Sequence, residues 1–371
     1  MSNIEMIIKD GFQIPGPSKY LTRMALYSLR IAIKAYSSTY QSLKSKLHYF
    51  EMNPGETNDQ YLGAYNNNYY INCAESIIHF QHFFELVIKD ILREEHILLA
   101  NDASNYPIIL KRLLKNENIN DLDIEKTKSV EFSEALKRII LLIDTEVLGN
   151  GNYDFISESK EIFDNLNTLR NRIWHRGTFL LHYPSLDLFI GEYILPLAMK
   201  FTSLYPYNEF KSYWIYKKLD NDFCPLNSLL NSFEKEKYNI NKIAILKEMI
   251  RSAYNNPVLK VIKANSKSTG LIVNFENYSQ KRAEHLAKSI ERFEYNIDNI
   301  KKCPICGTMS LISFNEMEAD IDEEGNILKQ WQYVYNVKCL CCSFELFKEV
   351  GNPQIYELPL DNYFTTIILD N

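Results

Sequence analysis

The sequence has no long apolar run, and it contains little glycine or proline. The longest apolar stretches, such as RIILLI at 138–143, are far too short to span a bilayer. Glycine and proline contribute only 12 residues each among 371, so the sequence contains few residues that break helices. The N-terminus has acidic residues early and no apolar segment typical of a signal peptide, which predicts a cytoplasmic protein with no membrane partner.

An excess of positive charge is also missing. The chain carries 41 Lys and Arg against 47 Asp and Glu, which gives a net charge of −6. No global field attracts such a protein to nucleic acid, so any binding of that kind must depend on local basic clusters. The sequence also lacks internal repeats and low-complexity segments. With 46% hydrophobic and 24% charged residues, its composition is typical of a globular protein.

Apolar periodicity predicts a mainly α protein with a small β-rich C-terminus. Helices are predicted over 18–50, 68–99, 102–115, 129–147, 160–176, 184–205, 239–254 and 276–300. Tyr, Asn and Pro punctuate residues 205–225, which indicates a domain boundary. We expect four segments, namely an N-terminal helical extension (1–60), a helical domain (61–208), a mainly helical connecting segment (209–300) and a C-terminal domain (301–371).

Five of the seven cysteines lie between residues 303 and 342. In Cys303-Pro-Ile-Cys306-Gly, a tight turn aims two thiolates at one point. Cys339-Leu-Cys341-Cys342 supplies a second pair, most simply Cys339 and Cys342, and alternating apolar residues around a turn at DEEGN join the two as a hairpin. This pattern predicts a zinc ribbon with one structural Zn²⁺. Cys341 is an alternative ligand, because spacing alone does not separate the registers.

A site closed by four thiolates has no open coordination position, so we assign it no catalytic role. The zinc-dependent alternatives, a nuclease or a deaminase, need a carboxylate or histidine beside the cysteines as a ligand, and neither cysteine pair contains one. Chemistry must therefore be sought elsewhere in the chain.

The segment NTLRNRIWHRG at 167–177 places three arginines within seven positions, beside a tryptophan and a histidine. If the segment is a helix, with about 100° of rotation per residue, then His175 and Asn171 lie on the side opposite its apolar face. His175 falls in the last turn, with Gly177 as the expected cap. The apolar line that must face the core consists of Ile162, Leu166, Leu169 and Ile173.

The residue types in this segment suit phosphate chemistry. The partial negative charge of a helix C-terminus favours His⁺ and Arg⁺, and an imidazole both takes and gives protons near neutral pH. Adjacent guanidinium groups hold a phosphate and stabilise charge that develops on it. Together these groups provide what is needed to cleave RNA without a metal ion.

LRNRIWHRG resembles the R-x4-H motif of the HEPN superfamily, with Arg170, Asn171 and His175 at its polar positions. AESIIHFQHFFELVIKDIL resembles the first conserved helix of that family, including Glu85 and Lys89. The resemblance covers roughly residues 65–205. It implies a HEPN-like helical bundle that forms a homodimer and builds a metal-independent ribonuclease site from two such motifs. It also implies products with a 2′,3′-cyclic phosphate and a toxin or anti-phage defence role, often on tRNA.

On this resemblance, His175 is general base or acid, Arg170 contacts the phosphate, and Asn171 orients either of them. Arg172 and Arg176 are supporting cations. A polar stripe on the second predicted helix has two interpretations. Either it faces the motif, with Glu85 positioning the catalytic groups, or it is a solvated line in which Glu85 and Lys89 form an ordinary ion pair. The stripe comprises Glu75, His79, His82, Glu85, Lys89 and Arg93.

The sequence therefore predicts an endoribonuclease with a structural zinc ribbon. Because a free ribonuclease endangers its own cell, we expect an inhibitor or trigger protein as a further partner. The main alternative is a non-catalytic HEPN-like dimer that serves as an interaction scaffold, with the zinc ribbon as its recognition module.

Overall fold

The computed structural model of the chain describes residues 14, 16, 22–50, 59–117, 119–120, 123–124, 126–148, 151–235, 238–255, 275–293, 296–323 and 326–369. These residues are mainly helical, as the sequence predicts, with an antiparallel sheet in the C-terminal part. Among them, no helix combines the length and the apolar character that crossing a membrane requires. Much of the predicted N-terminal extension lies outside the described residues, as do Glu324 and Gly325 of the expected hairpin turn.

The described α-helices are α1 (Arg23–Leu43), α2 (Asn67–Glu95), α3 (Ile97–Ala100), α4 (Pro107–Leu114), α5 (Phe132–Asp144), α6 (Asp154–Glu158), α7 (Lys160–Asn171), α8 (Tyr183–Leu188), α9 (Leu195–Ser203), α10 (Pro225–Lys235), α11 (Ile240–Tyr254) and α12 (Phe275–Phe293). Two π-helical turns, Arg172–Arg176 and Phe189–Ile194, continue α7 and α8. The strands are β1 (Asn101–Asp102), β2 (Lys128–Ser129), β3 (Ile297–Lys302), β4 (Met309–Ile321), β5 (Ile327–Cys339), β6 (Glu345–Phe347) and β7 (Thr366–Leu369).

Several helices end earlier than their apolar patterns predict. The pattern over 18–50 continues past the end of α1, but Leu47–Phe50 form a 3₁₀ turn instead. The pattern over 68–99 is interrupted at His96, whose side chain accepts a hydrogen bond from the Leu98 amide and caps α3. The pattern over 276–300 extends too far, because residues from Ile297 onward pair with β4 as a strand.

The chain forms two compact units whose segments alternate along the sequence. Unit 1 contains the described parts of residues 1–33, 74–180 and 193–215. Unit 2 contains the described parts of 34–73, 181–192 and 216–371. The R-x4-H segment belongs to unit 1, and all five C-terminal cysteines belong to unit 2.

The core of unit 1 is built largely from aromatic rings. Phe84 on α2 lies edge-on to Phe163 on α7, with ring centroids 5.3 Å apart, and 5.6 Å from Phe201 on α9. All three rings are fully buried. Edge-to-face pairs of this kind add to the stabilisation from burial alone. They hold α2 and α7 together, and these helices carry Glu85 and Arg170 respectively.

Unit 2 surrounds α11, which is buried along almost its whole length. Asn239 caps its N-terminus by accepting a hydrogen bond from the Lys242 amide at 2.9 Å. A helix buried on all sides must compensate any charge that it carries. Lys247 meets Asp187 at 2.7 Å, and Glu248 accepts hydrogen bonds from Arg251 at 2.6 and 2.7 Å.

The sheet of unit 2 has the strand order β3-β4-β5-β6, and β7 also pairs with β5. Strands β4 and β5 form a long antiparallel hairpin in which Leu311 lies opposite Cys339 and Ile321 lies opposite Ile327. This register brings the residue just before β4 and the residue just after β5 to the same end of the hairpin. Both cysteine pairs lie at that end.

Candidate functional site

The R-x4-H segment is anchored by the apolar face of α7. Phe163, Leu166, Leu169 and Ile173 are buried, which confirms the predicted core-facing line apart from Ile162, which is only half-buried. The side chains between these anchors are directed away from the aromatic core, as the 3.6-residue period requires. The helix therefore presents Arg170 and Asn171 on the outer side of unit 1.

The segment does not continue as a regular α-helix to its end. Arg172–Arg176 form a π-helical turn, and Gly177 follows in the left-handed conformation with φ +65°. The Gly177 amide donates to the Ile173 carbonyl at 3.1 Å, which closes the cap that the sequence predicts. A π turn is wider than an α turn, so it moves His175 and Arg176 away from the positions of an ideal α-helical wheel.

Arg170 and Asn171 contact each other directly. Arg170 Nη1 donates a hydrogen bond to Asn171 Oδ1 at 2.9 Å, and both side chains are half-buried. Arg170 Nε is buried and has no hydrogen-bond partner among the described residues. Leaving a buried donor of this kind unpaired carries a desolvation penalty.

The remaining polar residues of the segment are exposed. His175 and Arg176 face solvent, and His175 makes no hydrogen bond to another described residue. Arg172 is also exposed, and its guanidinium carbon lies 3.4 Å from the centroid of the Phe179 ring. This cation–π stacking restrains the Arg172 side chain. The sequence contained no recognisable signal for the π turn. For the Phe179 contact, the one available signal was that Phe179 follows two residues after Gly177.

The polar stripe of α2 is packed more tightly than a solvated line. Lys89 is buried and donates to Glu85 at 2.6 Å, and Gln81 Nε2 donates to the other oxygen of Glu85 at 3.0 Å. Burial disfavours ionisation of Glu85, but the hydrogen bond and the charge of Lys89 outweigh it and hold the pKa of Glu85 below its usual value. The ordinary Glu85–Lys89 pair is therefore present, within a half-buried network.

His82 connects this stripe to α1, and the charge of Arg170 influences its pKa. Its Nδ1 lies 2.8 Å from Ser28 Oγ. Burial lowers the pKa of His82, Glu85 raises it, and the charges of Lys89 and Arg170 add to the lowering. The field of Arg170 thus reaches the stripe. Among the described residues, however, no hydrogen bond or ion pair joins Glu85 to Arg170 or His175.

Four buried cysteines in unit 2 form a second candidate site. The Sγ atoms of Cys303, Cys306, Cys339 and Cys342 all lie within 4.8 Å of one another, close enough to hold a metal ion. Cys303 Sγ is 3.6 Å from Cys342 Sγ, and Cys306 Sγ is 3.7 Å from Cys339 Sγ. Four thiolates at ~2.3 Å from a tetrahedral ion have edges of ~3.8 Å, so these side chains fit such a group. Cys341 is half-buried and lies outside the four.

Both cysteine turns have the same backbone geometry. The Gly307 amide donates to the Cys303 carbonyl at 2.9 Å, and the Ser343 amide donates to the Cys339 carbonyl at 3.0 Å. The residue after each second cysteine has positive φ, +74° at Gly307 and +61° at Ser343. Glycine adopts this conformation readily, whereas serine does so at some energetic cost.

Ser343 is held in place by helix α11. Arg251 donates to the Ser343 carbonyl and, at 3.2 Å, to its hydroxyl. The Glu248 carboxylate that anchors Arg251 also accepts the Glu345 amide at 2.7 Å. The second cysteine turn is thus positioned by two charged residues of a buried helix, which sequence spacing did not reveal.

Comparisons of the chain with protein-family models, curated proteins and solved structures found no match in any of the three.

Proposed function

We propose that this chain is a metal-independent endoribonuclease of the HEPN type, and that Arg170, Asn171 and His175 carry out the reaction. One observation carries the proposal. Asn171 holds the half-buried guanidinium of Arg170 in place, and a solvent-accessible imidazole follows about one turn later on the same helix. The first group suits a phosphate oxygen, and the second suits proton transfer.

In the proposed reaction, a general base removes the proton of a ribose 2′-hydroxyl, and the 2′-oxygen attacks the adjacent phosphorus. Arg170 stabilises the charge that develops on the phosphate oxygens. The bond from phosphorus to the 5′-oxygen breaks, and a general acid protonates that oxygen. The products are a 2′,3′-cyclic phosphate and a 5′-hydroxyl, so atoms and protons balance without a further reactant.

The attacking and leaving oxygens lie on opposite sides of phosphorus, so one imidazole is poorly placed to serve both. A second copy of the chain would supply the second His175, one acting as base and the other as acid. The exposure of His175 supports this arrangement, since an enclosed site requires another surface to cover it. The proposal therefore includes a homodimer formed through unit 1.

For the cysteine site, we propose a structural Zn²⁺ held by Cys303, Cys306, Cys339 and Cys342. A borderline-soft ion with four thiolates has no free position for substrate, so its contribution is to the stability of unit 2. Lys302 next to this site is paired with Asp220 at 2.7 Å, which argues against a role for it as a free cation for RNA. The HEPN resemblance further supports a toxin or anti-phage defence role restrained by an inhibitor or trigger protein.

The test is cleavage of total RNA and tRNA by the purified full-length protein, with and without EDTA. His175→Ala and Arg170→Ala should abolish cleavage. His285→Ala, which changes an exposed histidine on α12, is the matched control and should leave cleavage unchanged. Products should carry a 2′,3′-cyclic phosphate, and strands with 2′-deoxyribose should resist cleavage. Because EDTA also removes zinc, metal content and circular dichroism are measured on the same samples. Cleavage that survives both substitutions would assign the activity to another site or to a contaminant.

The second candidate is a non-catalytic dimeric scaffold. The observation that favours it is the lack of a described hydrogen-bond partner for His175, since catalytic histidines commonly have a second group that fixes their tautomer. For a scaffold, an intact dimer would cleave no RNA, and His175→Ala would change neither assembly nor partner binding.

A further inference from the structure

Trp174 lies immediately before His175 on the π turn, and 61% of its surface is exposed. Its neighbours Leu169 and Ile173 are buried, so the segment is well anchored and the indole is directed outward by the backbone. Exposing a large apolar ring disfavours folding relative to a polar residue at the same place. What distinguishes Trp174 from other exposed apolar residues is the dense arginine cluster around it, a combination that suits a planar anionic ligand.

The surrounding charges indicate what that ligand is. The Arg170 guanidinium carbon lies 5.9 Å from the centroid of the Trp174 ring. Arg172 stacks instead on Phe179, which leaves the Trp174 ring accessible. Three arginines within seven positions attract phosphate, although the whole chain is acidic. A flat apolar ring beside phosphate-binding cations matches a nucleotide, which has a π face next to a phosphate.

We infer that Trp174 stacks against an unpaired base of the RNA, beside the phosphate that Arg170 contacts. This inference rests on the proposed ribonuclease function and assigns to it a further residue that binds the substrate. Both faces of a base inside an A-form duplex are already covered by neighbouring bases, whereas bases in loops and single strands are free to stack on aromatic side chains. The contact therefore requires that the base beside Trp174 be unpaired.

The same contact explains how the scissile phosphate is placed. Trp174 and His175 are consecutive residues of the π turn, and both side chains are exposed. Stacking would fix the position of the base, and hence of its ribose and phosphate, relative to the imidazole. Because every base has a π face, this contact selects for an unpaired nucleotide with little preference for its identity.

The test measures RNA binding separately from cleavage. The full-length protein carries His175→Ala to prevent cleavage and Trp331→Phe to remove one of the other indoles. The remaining Trp214 is only 3% exposed, so quenching reports mainly on Trp174. The probes are a short oligouridylate, an abasic strand of the same length and an RNA duplex, each with a terminal fluorescein so that anisotropy measures binding by the variants that lack Trp174. The variants are Trp174→Ala and Trp174→Phe, with the exposed Tyr106 changed to Ala as a matched control.

We expect oligouridylate to quench the fluorescence of Trp174, and Trp174→Ala to weaken its binding roughly 5- to 100-fold. Trp174→Phe should restore most of the affinity, and Tyr106→Ala should leave it unchanged. Binding of the abasic strand should be insensitive to Trp174→Ala, because that strand offers phosphates without bases.

Equal binding of oligouridylate by Trp174→Ala would overturn the inference. So would conversion of the dimer to monomer by Trp174→Ala in analytical ultracentrifugation, which would place the indole in a protein interface. An RNA cleavage assay of the wild-type protein distinguishes failure of this inference from failure of the proposed function. Cleavage with no role for Trp174 leaves only the nuclease proposal, whereas base-dependent binding without cleavage supports only the stacking contact. Absence of RNA binding overturns both.

Discussion

The ammonium nitrogen of Lys247 lies 2.7 Å from a carboxylate oxygen of Asp187, and both side chains are completely buried. Tyr238 donates a second hydrogen bond to Asp187 at 3.1 Å, and the ring of Tyr183 lies 3.9 Å from the ammonium group. Burial raises the pKa of Asp187 and lowers that of Lys247, while each charge opposes the shift of the other. Each residue depends on its partner to remain charged in the core of unit 2.

Removing one member of this pair should destabilise unit 2 strongly. Lys247→Met leaves Asp187 without its counter-charge, and we expect a loss of ~3–5 kcal/mol in the free energy of unfolding. The double variant Asp187→Asn, Lys247→Met removes both charges of this pair and should lose less than the sum of the single changes. Urea denaturation of all four proteins measures the coupling. Simple additivity would show that the two charges do not stabilise each other.

The cysteine site should bind one Zn²⁺ per chain, and the ligands should be separable by mutation. Cys303→Ser and Cys342→Ser each remove a buried thiolate of the cluster, so both should lose the ion and lower the melting temperature. Cys341→Ser provides the matched control, because Cys341 lies outside the cluster. Metal analysis of the purified variants checks this. Retention of zinc by Cys342→Ser, together with its loss from Cys341→Ser, would favour the other register.

Gly307 should tolerate no side chain. A Cβ at this position would lie 2.5 Å from Asp220 Oδ1, and φ is +74°. The other oxygen of Asp220 is paired with Lys302 at 2.7 Å, so moving the carboxylate away would disturb that ion pair. We expect Gly307→Ala to destabilise unit 2 by ~1–3 kcal/mol. Gly63 has ordinary φ and open space around it, so Gly63→Ala should be close to neutral in the same thermal unfolding measurement.

Acidification should destabilise the protein in part through His82. Burial lowers the pKa of His82 in the folded chain below its ordinary value, so the folded state binds fewer protons than the unfolded state at mildly acid pH. Stability must then fall as the pH decreases through the ordinary histidine pKa. Replacing His82 with Gln should reduce the loss of stability between neutral pH and ~pH 5. Urea midpoints at both pH values test this, and the exposed His285 supplies the control His285→Gln.

If the ribonuclease proposal holds, Asn171 should act through Arg170. Asn171→Ala removes the acceptor 2.9 Å from Arg170 Nη1, so the guanidinium loses its fixed position. We expect kcat/KM for RNA to fall on the order of 10- to 100-fold. Asn171→Asp should also reduce activity, because a carboxylate beside Arg170 repels the phosphate. Thr168→Ala, an exposed change on the same helix, is the control. Full activity of Asn171→Ala would remove this positioning role.

Local patterns predicted the parts of this protein that depend on near neighbours in the chain. The apolar period of residues 160–176 correctly placed Leu166, Leu169 and Ile173 in the core. The Gly177 cap was likewise predictable, since a helix end needs a residue that accepts positive φ. The first cysteine turn followed from spacing and from Gly307. Each of these features is decided within a few residues.

Only the tertiary structure decided which distant groups meet. The turn after β5, closed by the hydrogen bond from the Ser343 amide to the Cys339 carbonyl, places Cys342 rather than Cys341 in the cysteine cluster, a choice that spacing had left open. The pairing of Asp187 with Lys247 and of Ser28 with His82 joins residues far apart in the chain. Sequence periodicity reports which face of an element is buried, whereas the partner of a buried polar group depends on how the elements pack.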